Sequence, residues 1–194
     1  MTTETYPITS ETGIPPGWSY NPSTWGQRIP LLAIALIGMG ISLYLGLYQL
    51  QVISTVWDPF FGSASSATIL HSTFSRILPI PDALLGSIGY LLDAISGIIG
   101  NTRRWKTMPW IVILFGIAVG PLGITSLFLV IAQPVFFHAW CSLCLASAVL
   151  SIFMIGPAMD EILASLLYLQ RVKRSGYSVW KAFWGDTDLS STIN

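Results

Sequence analysis

Four long apolar stretches limit what this chain can fold into more than any other feature of the sequence. They lie at about residues 29–53, 82–100, 108–133 and 140–155, and the first and third carry no charged residue. A helix needs about 20 apolar residues to cross a bilayer. Only 9% of the residues are charged, whereas soluble domains have about 25%. The sequence therefore predicts an all-α membrane protein, a four-transmembrane-helix bundle.

The basic residues predict the orientation of the bundle. Eight of the nine fall on one side of four alternating spans: Arg28, Arg103, Arg104, Lys106, Arg171, Lys173, Arg174 and Lys181. Because basic loops stay in the cytoplasm, we expect both termini to be cytoplasmic. The loop 54–81, which holds Arg76, and the short turn 134–140 are then expected outside.

The expected domain organisation is a single membrane domain with short flanks. Residues 1–27 form a polar N-terminal arm, residues 28–157 the four-helix domain with its outer loop 54–81, and residues 158–194 a cytoplasmic or interfacial helix and tail. The first apolar run is too long for the core of a cleaved signal peptide. The formal net charge is zero, which gives no indication of a nucleic-acid partner.

Both cysteines of the chain, Cys141 and Cys144, lie at the predicted outer start of the fourth span. Residues three apart share a helix face, and the positive end of a helix stabilises a thiolate. Disulfides also persist outside the cytoplasm, so the pattern favours a redox-active pair with Cys141 the more acidic thiol. Two buried structural cysteines are the alternative. A zinc site would need four ligands, and only His71 and His138 could join. Leu145 after Cys144 excludes the C-x-x-C-H haem motif.

Two motifs carry a resemblance to a known family. One is "WCSLCLASA" at residues 140–148. The other runs from Ser72 to Tyr90 and includes Pro81, Gly86 and Gly89. From residue 28 to about 170 the chain resembles the vitamin K epoxide reductase family. The stretches "VWDPFFG" and "MPWIVILFG" resemble a bacterial subgroup.

The resemblance implies a four-helix bundle around a quinone of the ubiquinone or menaquinone type, in the bacterial inner membrane with the CxxC pair on the periplasmic side. In the family, this pair passes electrons to the quinone, and a second cysteine pair on the first outer loop receives them from a thioredoxin-like protein. Here the loop 54–81 has no cysteine, and Ser66 stands near the position of the second one. A thioredoxin-like protein or a small thiol would then act directly on Cys141 and Cys144.

Four further residues are candidates for contact with the quinone. Ser72, Tyr90 and His138 could donate a hydrogen bond to a quinone carbonyl, or could equally serve packing and loop structure. His138 could also lower the pKa of the Cys141 thiol. Trp140 belongs to a group of outer aromatic residues that could cap the mouth of the bundle, although an aromatic belt at the membrane interface explains them as well.

These observations leave two functions open. The chain is predicted to be a quinone-linked thiol/disulfide oxidoreductase, or a non-catalytic accessory subunit of a larger membrane complex. A channel or transporter is the weakest alternative, because Asp93 is the one acidic residue in the middle of a span and no polar stripe lines a pathway. Asp93 itself could serve a proton relay, but its predicted place near the inner end favours a carboxylate that reaches the interface.

Overall fold

The computed structural model describes residues 13–72 and 80–185, and within them the chain is helical and contains no β-strand. The helices are α1 Trp25–Gln49, α2 Gly62–Leu70, α3 Asp82–Ile98, α4 Arg104–Thr107, α5 Pro109–Ala132, α6 Ser142–Arg174 and α7 Val179–Trp184. A π-helical turn, Gln133–Phe137, continues α5. The predicted all-α class is therefore confirmed. Arg76, residues 1–12 of the predicted arm and residues 186–194 of the predicted tail lie outside the described residues.

Within the described residues, three helices are long and apolar enough to cross a membrane: α1, α5 with its π-helical turn, and α6. This confirms a membrane protein. Helix α3 has 17 residues, fewer than the 20 or so that span a bilayer. Its role as a fourth span stays a prediction, as does the cytoplasmic position of the termini.

Helices α1, α3, α5 and α6 form a closed bundle. Helix α1 packs chiefly against α3, and α5 against α6, while contacts of α1 with α6 and of α3 with α5 complete the ring. All four helices contribute to one core cluster: Leu31, Ala35, Tyr90, Ala94, Phe115, Val119, Met154 and Ala158. Large apolar side chains such as Ile37, Ile124 and Phe153 are exposed on the outside of the bundle, as expected for helices that face lipid.

The close approach of α1 and α3 depends on Gly38. A Cβ atom at this position would lie 2.5 Å from the Tyr90 ring, and this ring is completely buried. Small residues at such crossings let membrane helices pack closely. Gly40, two residues further along α1, has no atom near its hypothetical Cβ.

The end of the bundle opposite the cysteines is held by two buried arginines. Arg28 donates hydrogen bonds to the carbonyl oxygens of Gly97, Ile99 and Gly100. Because these carbonyls lie at and just beyond the end of α3, where no helical amide can reach them, Arg28 caps α3 from α1. Arg104 forms a buried ion pair with Glu161 of α6.

The segment before α1 packs against this same end. Ser23 donates a hydrogen bond to Glu161 at 2.5 Å. The Trp105 indole donates to the Gly13 carbonyl oxygen, and Arg171 donates to that of Pro16. The described part of the predicted arm thus contacts helices α4 and α6.

Helix α6 differs from the predicted fourth span. It begins at Ser142 rather than at Trp140, because the backbone of Cys141 is extended and the residue forms the N-cap. It then continues through Pro157 to Arg174 as one helix of 33 residues. The predicted domain boundary at residue 157 therefore lies inside a continuous helix. The turn before α6 is also shorter than predicted, since the π-helical turn reaches Phe137.

Candidate functional site at the start of helix α6

Cys141 and Cys144 are joined by a disulfide, with their Cα atoms 5.2 Å apart. The Sγ atom of Cys141 accepts the backbone N–H of Cys144 at 3.1 Å, so the N-cap residue satisfies one of the free amides of the first turn. The exposed fraction of Cys141 is 0%, whereas Cys144 is partly exposed. The two sulfur-bearing residues therefore face different surroundings.

A carboxylate from the loop after α1 binds the residue that follows Cys141. The Asp58 side chain accepts the Ser142 amide N–H at 2.7 Å and the Ser142 hydroxyl at 2.5 Å. It also accepts the Ser66 hydroxyl at 2.5 Å and the amides of Phe60 and Phe61. One side chain thus joins the loop, helix α2 and the first turn of α6.

These hydrogen bonds determine the charge of Asp58. Burial raises the pKa of this carboxyl group, but donors from Ser142, Ser66 and the Phe61 amide outweigh burial and hold the pKa well below its usual range. The side chain is therefore ionised at neutral pH. A negative charge stands at the positive end of α6, directly beside the cysteine pair.

Helix α2 covers the residue before Cys141 as well. The Ser65 hydroxyl donates to the Trp140 carbonyl oxygen at 2.7 Å and accepts the Trp140 amide at 2.9 Å. The Phe61 and Trp140 rings stack with centroids 5.9 Å apart. Contacts on both neighbours of Cys141 explain why no part of this residue is accessible.

A cavity of about 370 Å³ lies on the other side of the disulfide, among α1, α2, α3, α5 and α6. Its wall is mainly apolar, with a few polar groups. The lining includes Leu122, Leu129, Cys144, Ser72, Gln133 and Ser147. Small-molecule sites are concave and apolar with a few placed polar groups, in a range of about 300–1,000 Å³. The cavity therefore has the volume and the lining of a site for a small, mainly apolar molecule.

The predicted contact residues occupy different places. Ser72 lines the cavity. The Tyr90 hydroxyl lies at 2.6 Å from both the Ser147 carbonyl oxygen and the Ser151 hydroxyl, and the residue is not part of the cavity wall. His138 is exposed in a left-handed conformation, with φ 50°. Trp140 is 38% exposed and stacks on Phe61. A contact of any of the four with a quinone stays a prediction.

Gln133 is a site residue that the sequence did not suggest. It follows α5 in the chain, is 2% exposed and lines the cavity. Its Oε1 atom accepts the Cys141 amide N–H at 3.0 Å. Eight residues separate Gln133 from Cys141 in the sequence, and the π-helical turn lies between them. No spacing rule predicts such a turn, so this contact is visible only in the folded chain.

Asp93 does not reach the interface as the sequence suggested. It is 2% exposed, and neither carboxylate oxygen has a hydrogen-bond partner within residues 13–72 and 80–185. With Arg28 and Arg104 it lines a space of about 10 Å³, which is close to the volume that one water molecule needs. Asp93 belongs to the arginine end of the bundle and not to the cysteine site.

Potential metal ligands do not gather around the cysteines. Among the described residues, no group of three or more His, Cys, Asp and Glu side chains is arranged to hold a metal ion. His71 instead contacts the Tyr48 ring, with ring centroids 5.3 Å apart.

Comparison with known proteins points in the same direction as this geometry. The sequence model of the Vitamin K epoxide reductase family matches residues 29–158. The matched range includes most of α1, all of α2 to α5, the disulfide and the first half of α6. No curated protein matches the chain.

Proposed function

Because the chain belongs to the vitamin K epoxide reductase family, for which thiol/disulfide oxidoreductase chemistry is characteristic, we propose that it transfers electrons from thiols to a quinone. The observation that supports this proposal most is the position of the Cys141–Cys144 disulfide. Cys144 lines a cavity of about 370 Å³ with a mainly apolar wall, and a quinone ring of the ubiquinone or menaquinone type is proposed to bind there.

The proposed reaction has two balanced steps. A donor thiolate attacks the disulfide, a second donor thiol resolves the mixed disulfide, and the donor leaves as a disulfide while Cys141 and Cys144 become a dithiol. The dithiol then gives two electrons and two protons to the quinone, which leaves as the hydroquinone, and the Cys141–Cys144 disulfide forms again.

The two cysteines have different proposed roles. Cys144 lines the cavity, so it reacts with the quinone. Cys141 exchanges with the donor thiol, and since its exposed fraction is 0%, the donor reaches it only when the contacts of Ser65 with Trp140 and of Asp58 with Ser142 open. His138 and Trp140 are both exposed and precede Cys141 in the chain, so the approaching donor is proposed to contact them.

The proposed setting is the inner membrane of a bacterium. The basic residues Arg28, Arg104 and Arg171 lie at the end of the bundle opposite the disulfide, and basic ends stay in the cytoplasm. The disulfide then faces the periplasm, where a thioredoxin-like protein or a small thiol is the electron donor. The loop 54–81 has no cysteine, so the donor acts on Cys141 without a second pair in this chain.

Thiol-dependent quinone reduction by the purified protein in lipid nanodiscs tests the proposal. We expect turnover with a dithiol donor and a soluble quinone, and we expect Cys141→Ala and Cys144→Ala to abolish it. Ala146→Ser changes an exposed residue of the same helical turn and should leave turnover intact. Equal rates in the cysteine variants and the unaltered protein would contradict the proposal.

The buried state of Cys141 also supports a second candidate function. A disulfide that no donor reaches would be structural, and the chain would then serve as a non-catalytic subunit of a larger membrane complex. Gentle extraction and mass measurement distinguish the two functions. A particle with the mass of one chain and its detergent argues against the accessory role, whereas stable co-purification with other subunits and no turnover supports it.

A further inference from the structure

The orientation of the Gln133 carboxamide follows from its contact with Cys141. The backbone amide of Cys141 can only donate a hydrogen bond, so the atom that faces it at 3.0 Å is the oxygen Oε1. The nitrogen Nε2 must then point the other way, because the two atoms occupy opposite positions of one planar group. The disulfide site therefore fixes the direction in which Gln133 presents its N–H donors.

Those N–H donors have no protein partner within the described residues, and the side chain that carries them lines the cavity. Gln133 is 2% exposed, and its Nε2 atom donates no hydrogen bond to any residue in the ranges 13–72 and 80–185. The Nε2 atom is not among the fully enclosed side-chain atoms that lack a partner, so it remains accessible to a molecule in the cavity. Gln133 lines the cavity beside Cys144, so an occupant of this cavity can supply the missing acceptor.

Other polar groups of the cavity already have protein partners. The Ser42 and Ser147 hydroxyls lie 3.1 Å apart, and the Ser126 hydroxyl donates to Ser151. The Asp82 carboxylate accepts the Gln49 side chain at 2.5 Å. Thr125 lies at an exposed position of α5. Gln133 therefore differs from these residues because its Nε2 donor has no partner within the described residues, while its Oε1 atom accepts the Cys141 amide.

We propose that the Gln133 side chain donates a hydrogen bond to a carbonyl oxygen of the quinone and thereby selects quinones over apolar rings of the same shape. This inference rests on the proposed function, since it assigns a residue to the quinone site. The same carboxamide holds the Cys141 amide, so Gln133 links the ring position to the first turn of α6. A donor at this oxygen also favours reduction, because the oxygen gains negative charge when the ring accepts electrons.

Two ligands of matched shape isolate this hydrogen bond. Menadione carries two ring carbonyls, whereas 2-methylnaphthalene has the same fused rings and methyl group without them. Their dissociation constants are measured with the full chain in nanodiscs, by partition against protein-free nanodiscs. In the unaltered protein we expect menadione to bind more tightly. Gln133→Met should weaken menadione binding by about 10-fold, the effect of one lost hydrogen bond, and leave 2-methylnaphthalene binding unchanged.

Gln49→Met is the matched control. It makes the same chemical change at a part-buried glutamine that is bonded to Asp82 but does not line the cavity, so the preference for menadione should persist. Gln133→Leu is measured in parallel, so that poor folding of one variant does not decide the result. For each variant that turns over, KM for menadione should rise more than kcat falls.

Each remaining outcome has one meaning. If the unaltered protein binds neither ligand, the quinone site itself fails, and with it the proposed function. If the unaltered protein prefers menadione and both Gln133 variants retain the preference, the role of Gln133 is wrong while the proposed function stands. If both ligands weaken equally in the variants, Gln133 has only a structural role, which also overturns the inference.

Discussion

Asp58 and Ser142 are joined by two hydrogen bonds, from the Ser142 amide at 2.7 Å and from its hydroxyl at 2.5 Å. Ser142 stands between the two cysteines in the chain, and Asp58 belongs to the loop 54–81, which contains no cysteine. In this protein the Asp58 carboxylate joins that loop to the first turn of α6, directly after Cys141. The Asp58–Ser142 contact keeps the loop and helix α2 against Cys141. The strength of this contact should therefore control how readily a reductant reaches the disulfide.

Removal of the Asp58 side chain should expose the disulfide. Asp58→Ala takes away the acceptor for Ser142 and Ser66, so α2 separates more often from the first turn of α6. Because hydrogen bonds to a charged group contribute about 1.5–3 kcal/mol each, we expect reduction by a small dithiol to accelerate by about 10-fold or more. Mass-tagging of the released thiols over time measures the rate.

Asp160→Asn is the control for this variant. Asp160 lies at the opposite end of the bundle and accepts a hydrogen bond from Tyr20, so its replacement should leave the reduction rate unchanged. An equal rate in Asp58→Ala and the unaltered protein would mean that access to Cys141 does not depend on the Asp58–Ser142 contact.

Protonation of Asp58 at low pH should weaken the same contact and so increase access to the disulfide. The pKa of Asp58 is held well below its usual range, since the hydrogen bonds outweigh burial. The stabilisation is therefore complete above the ordinary pKa of about 4 and is lost as the pH falls further towards the lowered pKa. Reduction of the disulfide by a phosphine should be constant from neutral pH to about pH 4 and accelerate below it. Asp58→Ala should show no such acceleration, and a rise that begins at higher pH in the unaltered protein would contradict this origin.

The Arg104–Glu161 pair should dominate the stability of the arginine end. Both side chains are buried, and loss of one member leaves an uncompensated charge, which costs about 3–5 kcal/mol. We expect Arg104→Met and Glu161→Met, each made alone, to lower the Tm in detergent strongly. The double variant Arg104→Met with Glu161→Met should recover part of the loss, because neither charge remains. A double variant as unstable as the sum of the two single variants would exclude coupling between the residues.

Two glycines of α1 provide a matched pair for the contact with Tyr90. At Gly38 a Cβ atom would lie 2.5 Å from the buried ring, whereas Gly40 has free space. Gly38→Ala should therefore destabilise the protein by about 1–3 kcal/mol through overpacking. Gly40→Ala should be neutral or slightly stabilising, because alanine is the better helix former. Thermal unfolding of both variants tests this expectation. Equal Tm values would mean that the close approach of α1 and α3 does not depend on Gly38.

Sequence patterns predicted the helices better than they predicted the contacts between them. Long apolar runs without charge correspond to α1, α5 and α6 because burial in lipid requires such runs. The pair Cys141 and Cys144 was identified by its spacing. By contrast, the Asp58–Ser142 contact joins residues 84 positions apart in the sequence. The ion pair of Arg104 and Glu161 joins residues 57 positions apart. Such pairs depend on the packing of the bundle, and neither member carries a local signal.

The ends of the helices were also hard to predict from the sequence, because contacts with other helices determine them. The run of apolar residues continues to Gly100, but α3 ends at Ile98 and Ile99 is extended. Arg28 from another helix satisfies the carbonyls at this end, and this stop could not be predicted from the run itself. Likewise, the π-helical turn places the Gln133 side chain against Cys141, which a regular helix followed by a turn did not suggest.

The redox state of Cys141 and Cys144 in intact membranes tests the central claim most directly. Thiols are counted by maleimide mass-tagging after treatment with a dithiol, after its removal, and after addition of a quinone. The account predicts that the disulfide opens with the dithiol, stays open under anaerobic conditions, and forms again only when quinone is added. A disulfide that never opens in the folded protein, or thiols that do not respond to quinone, would contradict electron transfer from thiols to a quinone at this site.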